Sequence, residues 1–263
     1  MIPEIYLIQW KKNSPWFNDY QVEQDLIIER ALAEIFSDKQ LAQQLAFRGG
    51  TALHKLILKP QSRYSEDIDL VQIKAGAIGE IISRLREKMS FLGEAKYFYS
   101  NNNVKLIYKF ESEAEPKTVM KLKIEINTRE HNSVFDFRHI NHELKNDWFN
   151  KSSEITTYTT EELLSTKLRA LYQRRKGRDL FDLYYAYQLA KIDTLRLLEG
   201  FTKYLSNENI FIQRKEFEGN LIRKIKDKDF IGDTKALLRT NIEYNHIIAY
   251  NFIMNEIISK MPP

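Results

Sequence analysis

Arg63-Tyr64-Ser65-Glu66-Asp67-Ile68-Asp69-Leu70 is the most informative stretch of this 263-residue chain. The alternation from Asp67 to Ile73 predicts a strand. On a strand, residues two apart share a face, so Asp67 and Asp69 point one way while Ile68 and Leu70 enter the core. Two adjacent carboxylates repel each other and are costly to bury without a positive partner. A divalent cation such as Mg²⁺ satisfies that need, because it takes carboxylate oxygens together with phosphate oxygens. The plain alternative is a strand end carrying two solvated acids.

Upstream, Phe47-Arg48-Gly49-Gly50-Thr51-Ala52-Leu53-His54-Lys55 reads as a strand over Ala46–Arg48, a glycine turn, and a helix from Thr51 to Leu58 closed by Pro60. The chain holds only 9 glycines, where average usage predicts about 18, so an adjacent pair calls for a local reason. Glycine lets a backbone approach a phosphate, and the first N–H groups of a helix favour an anion. A tight turn needing positive φ explains the pair equally well. Thr51 is placed to cap the helix or to donate to a phosphate.

Downstream, Ala77–Met89 reads as a helix, and Ala95–Tyr99, Val104–Phe110 and Val119–Ile126 as strands. In the last of these Leu122, Ile124 and Ile126 turn inward, and Glu125 faces the side that Asp67 and Asp69 share if the strands are neighbours. Three carboxylates are the set that two-metal phosphoryl transfer uses. A nuclease with an acid-x-Lys pair competes, but Lys123 precedes Glu125, the reverse of its usual order. Helical spacing covers Gln21 to Leu45, as one or two helices. From Thr159 onward the patterns are mostly helical, with breaks expected near Gly177, Gly200, Gly219 and Gly232. The expected layout is α+β: a mixed sheet flanked by helices over residues 1–150, then a helical domain over 151–263.

Within the helical half, Lys167 to Asp182 carries six basic residues in a dozen positions: Lys167, Arg169, Arg174, Arg175, Lys176 and Arg178. Lys167, Leu171, Arg174 and Arg178 share a face if one helix continues that far. Such a cluster suits triphosphate or RNA backbone. Asp179 and Asp182 are equally able to pair with these bases internally. Farther on, Lys203, Tyr204, Arg214, Lys215 and Arg223 are available to touch an RNA backbone, though a solvated helix face is the simpler reading.

Composition narrows the chemistry. The absence of cysteine removes disulfides, thiolate metal sites and a Cys nucleophile, and it suits a reducing compartment. Five histidines weigh against a His-based site, and 40 basic against 36 acidic residues give a net charge of +4. No signal peptide and no membrane span is read, so the expected location is the cytoplasm.

The quoted segments, in this order and spacing, resemble the AbiEii/AbiGii-type nucleotidyltransferase toxins of the DNA polymerase β-like superfamily, whose nucleotidyltransferase fold they imply. The resemblance implies that Gly50 and Thr51 hold the triphosphate of an NTP, with Gly49 shaping the turn of this nucleotide-binding segment. It implies that Asp67 and Asp69 bind Mg²⁺ (or Mn²⁺), with Glu125 as third acid. Lys167 would contact phosphate and Asp182 matches the family's late acid, so that Asp67, Asp69, Glu125, Lys167 and Asp182 form the implied catalytic set, and Arg63, Ser65, Arg174 and Arg178 would line the nucleotide site. The acceptor implied is RNA, in particular the tRNA 3′ end, and the partner an antitoxin that need not form a stable complex. A protein or small-molecule hydroxyl is the alternative acceptor, and a non-catalytic nucleotide- or RNA-binding module the alternative class. The sequence departs from the superfamily in one respect: sixteen residues, Thr51 to Glu66, separate Gly50 from Asp67.

Overall fold

The computed structural model describes residues 2–100 and 102–262. The chain divides into two compact units. One comprises residues 1–52, 64–132 and 137–158, and the other 53–63, 133–136 and 159–263.

The first unit opens with α1 (Glu4–Lys11) and α2 (Asp19–Ser37). The short α3 (Lys39–Ala42) follows, capped by Asp38, whose Oδ1 accepts from the Gln40 and Leu41 amides. Next come β1 (Leu45–Arg48), α4 (Gly49–Ala52), β2 (Asp67–Gln72), α5 (Gly79–Lys88), β3 (Ala95–Tyr99), β4 (Asn103–Glu111) and β5 (Val119–Asn127). A hairpin of β6 (Phe137–Asn146) and β7 (Phe149–Tyr158) completes the unit. The strands form one mixed sheet in the order β3-β4-β5-β2-β1-β7-β6. Strand β2 runs parallel to β5 and antiparallel to β1.

The alternating residues Leu106, Tyr108, Leu122, Ile124, Ile126, Ile68 and Leu70 are buried, as period-2 patterning requires. Helix α2 packs against β5, β6, β7 and α5. Its buried polar residues act as clamps. Glu23 accepts from the Glu113 and Ala114 amides. The Gln24 side-chain amide donates to the carbonyls of Glu66 and Lys121, at 3.1 and 3.0 Å. That bridge ties the starts of β2 and β5 together, one residue before Asp67 and two before Lys123.

The second unit begins with a π-helical turn, Leu53–Ile57, and contains α6 (Thr160–Gln173), α7 (Gly177–Leu189), α8 (Thr194–Asn207), α9 (Arg214–Lys224), α10 (Lys228–Gly232) and α11 (His246–Glu256). Thr159 caps α6 by accepting from the Glu162 amide. Buried Glu162 accepts from Ser133, from the Val134 and Phe135 amides, and from Tyr204. Tyr204 is therefore an interior hydrogen-bond donor and not part of a basic–aromatic surface.

Three sequence expectations change. Residue 150 lies inside β7, which continues to Tyr158, so the mixed-sheet unit outruns that boundary. Its hairpin went unread because Asn150-Lys151-Ser152-Ser153-Glu154 carries no apolar residue. Gly200 and Gly219 do not break the chain but lie inside α8 and α9. A Cβ on Gly200 would sit 2.5 Å from the Ser165 hydroxyl, so this glycine lets α8 approach α6. Helix α6 stops at Gln173 and α7 starts at Gly177, so Lys167 and Arg178 are on separate helices. Among the described residues, no helix is long and apolar enough to cross a membrane.

Candidate active site

In the first unit, strand register assembles a row of charge on one sheet face. Arg48 pairs with Asp69, Asp69 with Glu125, and Glu125 with Lys105. One step along, Asp67 pairs with Lys123. All three acids expected from the sequence therefore stand on adjacent parallel strands. The Lys123 ammonium lies 2.9 Å from Asp67 and 3.4 Å from Glu125, and Lys105 lies 3.6 Å from Glu125. Arg48 also pairs with Glu130 at 2.5 Å.

Asp69 carries the tension of this arrangement. Burial raises its pKa most, Arg48 and Lys123 oppose that, and the Asp67 and Glu125 carboxylates raise it further. Asp67 is more open, with 38% of its side chain exposed. Gly49 has φ +79°, and a Cβ there would lie 2.3 Å from Asp69 Oδ2. Glycine is required at this turn on both counts, left-handed backbone and close approach. Thr51 is buried, and its hydroxyl donates to the Asp67 carbonyl at 2.6 Å. Its proton thus holds the glycine turn to β2. Gly50 lies inside α4, and Ser65, half-buried, precedes β2.

Among the described residues, no three His, Cys, Asp or Glu side chains converge as a ready metal cluster; the Lys123 ammonium lies between Asp67 and Glu125. The donor set nevertheless fits a hard cation. It is all oxygen, it is crowded enough to hold Asp69 above its usual pKa, and Asp67 remains accessible.

The second unit gathers the other expected residues into a buried network. Arg63 grips Asp182 with two parallel bonds, Nε to Oδ1 at 2.5 Å and Nη2 to Oδ2 at 2.7 Å. Lys167 reaches Asp182 at 2.8 Å and Asp179 at 3.2 Å. Arg174, half exposed, holds both oxygens of Asp179 at 2.7 Å. Asp182 is fully buried, and despite that burial Arg63, Lys167 and His54 hold its pKa well below the ordinary value. The internal pairing considered from sequence is what forms. Arg178 is instead directed at Asp233, 3.7 Å away.

His54 was not singled out from the sequence. It is fully buried, with Nε2 2.9 Å from Asp182 Oδ1 and Nδ1 3.2 Å from the Ser62 hydroxyl. Burial first, and then the nearby Arg63 charge, depress its pKa to about 4. The neutral ring donates from Nε2 to Asp182 and accepts from Ser62. Its folded pKa lies below the unfolded value of 6.5, so the unfolded chain binds the extra proton first as pH falls. Stability is therefore expected to drop by about 3 kcal/mol between pH 6.5 and 4. Melting followed from pH 7 to 5 should show this decline, and His54→Gln should flatten it. A wild-type profile already flat over that window would contradict the assignment.

The family model described as nucleotidyl transferase AbiEii toxin, Type IV TA system, matches residues 30–249. The chain belongs to this family. It is thus an AbiEii-family nucleotidyltransferase of the toxin class. Solved structures share the fold. A nucleotidyltransferase described as putative, from Helicobacter pylori, is 17% identical, with TM-score 0.55 over 93% of this chain and 96% of that one. JHP933 from Helicobacter pylori is 16% identical, with TM-score 0.54 over 93% and 94%. MenT4, a nucleotidyltransferase toxin from Mycobacterium tuberculosis, is 15% identical, with TM-score 0.53 over 76% and 69%. No curated protein matches the sequence significantly. In this AbiEii-family chain strand alternation points to Asp67, Asp69 and Glu125 but not to Arg48 and Lys105, whose place beside the acids appears only once the register is known.

Proposed function

We propose that the protein transfers a nucleoside monophosphate from an NTP to RNA, at the tRNA 3′ end, as the toxin of a pair whose antitoxin need not bind it stably. The supporting observation is the in-register row Arg48–Asp69–Glu125–Lys105 with Asp67 one step away. It is the charge pattern of a site built to hold a cation and a polyphosphate. Asp67 and Asp69 would hold Mg²⁺, with Glu125 as third ligand or as base. When bound, the ion adds positive charge beside the α-phosphate and the leaving pyrophosphate.

The chain's own residues supply the rest. Gly49 and Gly50 place no side chain between the turn and an approaching triphosphate. Lys123 offsets charge beside Asp67. Where Glu125 serves as the base, it accepts the proton of the acceptor hydroxyl as that oxygen bonds to the α-phosphorus and the bond to the β-phosphate oxygen breaks. Lys167 and Asp182, both buried, act by positioning, whereas Arg174 and Arg178 reach solvent and are suited to phosphate.

Incubation with Mg²⁺, each labelled NTP in turn and total tRNA is expected to move label onto RNA from at least one NTP. Label appearing only on protein or on a small molecule would overturn the RNA assignment, and no transfer to any acceptor would overturn the reading as a whole.

A further inference from the structure

The charged row does not end at Lys105. On the same face, Phe98 of β3 stands opposite Lys105, and 52% of it is exposed. Lys96 stands opposite Ile107, and Lys109 stands directly opposite Lys121. Lys96, Lys109 and Lys121 are all exposed, and among the described residues none of the three has a carboxylate within ion-pair distance. Two like charges directly opposed across strands repel, so the fold keeps an unfavourable pair where a polyanion would turn it to advantage. With strands about 4.8 Å apart, the three steps from Asp69 to Phe98 span about 14 Å. The acids and the basic face are therefore one continuous surface.

We propose that this face of β3, β4 and β5 is the platform on which single-stranded acceptor RNA lies, its 3′ end directed at Asp67 and Asp69. Lys96, Lys109 and Lys121 engage phosphates, and the Phe98 ring stacks on a base. Exposed aromatics among lysines are how sequence-tolerant single-strand sites are built. An acidic protein partner would use the lysines but gain nothing from stacking. The proposal rests on the RNA reading above, so its test measures binding separately from transfer.

The probe is a short fluorescent oligoribonucleotide, titrated by anisotropy over a range of salt. Wild type is compared with the triple variant Lys96→Gln/Lys109→Gln/Lys121→Gln and with Phe98→Ala, all checked for an unchanged melting temperature and NTP affinity. Losing three phosphate contacts should lower the slope of log affinity against log salt by about 2. Phe98→Ala should weaken binding by about fivefold to a hundredfold. Unchanged slope and affinity in both variants would overturn the platform, even if wild type labels tRNA. Equal binding of RNA and polyglutamate, both insensitive to Phe98→Ala, would also overturn it. RNA binding that responds to both variants while wild type transfers nothing to RNA would keep the platform and remove the transfer reading.

Discussion

Asp69→Asn is expected to lower nucleotidyl transfer by about 10²–10³-fold while leaving the melting temperature unchanged or raised. The two readouts diverge because the carboxylate is costly where it stands. It is desolvated and faces Asp67 and Glu125, and its pKa is raised in consequence. Asparagine keeps the shape and removes the burial cost and the repulsion, which together outweigh the lost attraction to Arg48 and Lys123. On the proposed function, transfer loses a ligand for the cation that would offset phosphate charge, an effect of several kcal/mol on the barrier. Such opposition between stability and activity is common at functional sites. Single-turnover assays and thermal melts on one preparation check it. Turnover within threefold of wild type would remove Asp69 from the site.

Asp182→Ala should behave in the opposite manner, with a large loss of stability. Its carboxylate is the shared counter-ion of Arg63 and Lys167 and the acceptor for His54. Removing one member of a buried ion network leaves the others uncompensated, a cost of about 3–5 kcal/mol. For a chain of this size that corresponds to a melting temperature lower by about 6–20 °C. Asp182→Asn, which keeps one acceptor oxygen, should fall between. A variant that melts like wild type yet transfers nothing would show that Asp182 acts on substrate directly and not as a positioning residue.

The acids were legible in the sequence because each sits on a strand with strict alternation. Ile68 and Leu70 fix the direction of Asp67 and Asp69, and Ile124 and Ile126 fix that of Glu125. What alternation cannot convey is register, the property that sets Arg48 beside Asp69 and Lys109 against Lys121. The basic segment from Lys167 to Arg178 was harder to read for another reason. A run of lysine and arginine is the same string whether it faces phosphate or buried aspartate, and only packing separates the two. Helical periodicity also overran the stop at Gln173, because Arg174-Arg175-Lys176 contains no proline, and Gly177 begins the next helix instead of ending the last.

The network around Asp182 also bears on how the chain is made. Arg63 and Asp182 are 119 residues apart, and the segment from Leu53 to Arg63 belongs to the second unit although most of the first unit is encoded after it. A ribosome adding about 5–20 residues per second needs on the order of ten seconds to pass from one to the other. Throughout that interval the emerged arginine and histidine lack Asp182, the carboxylate they meet in the folded chain. The second unit can close only after its late helices leave the exit tunnel. Synthesis therefore imposes a built-in delay between the appearance of Asp67 and Asp69 and the closure of the second unit.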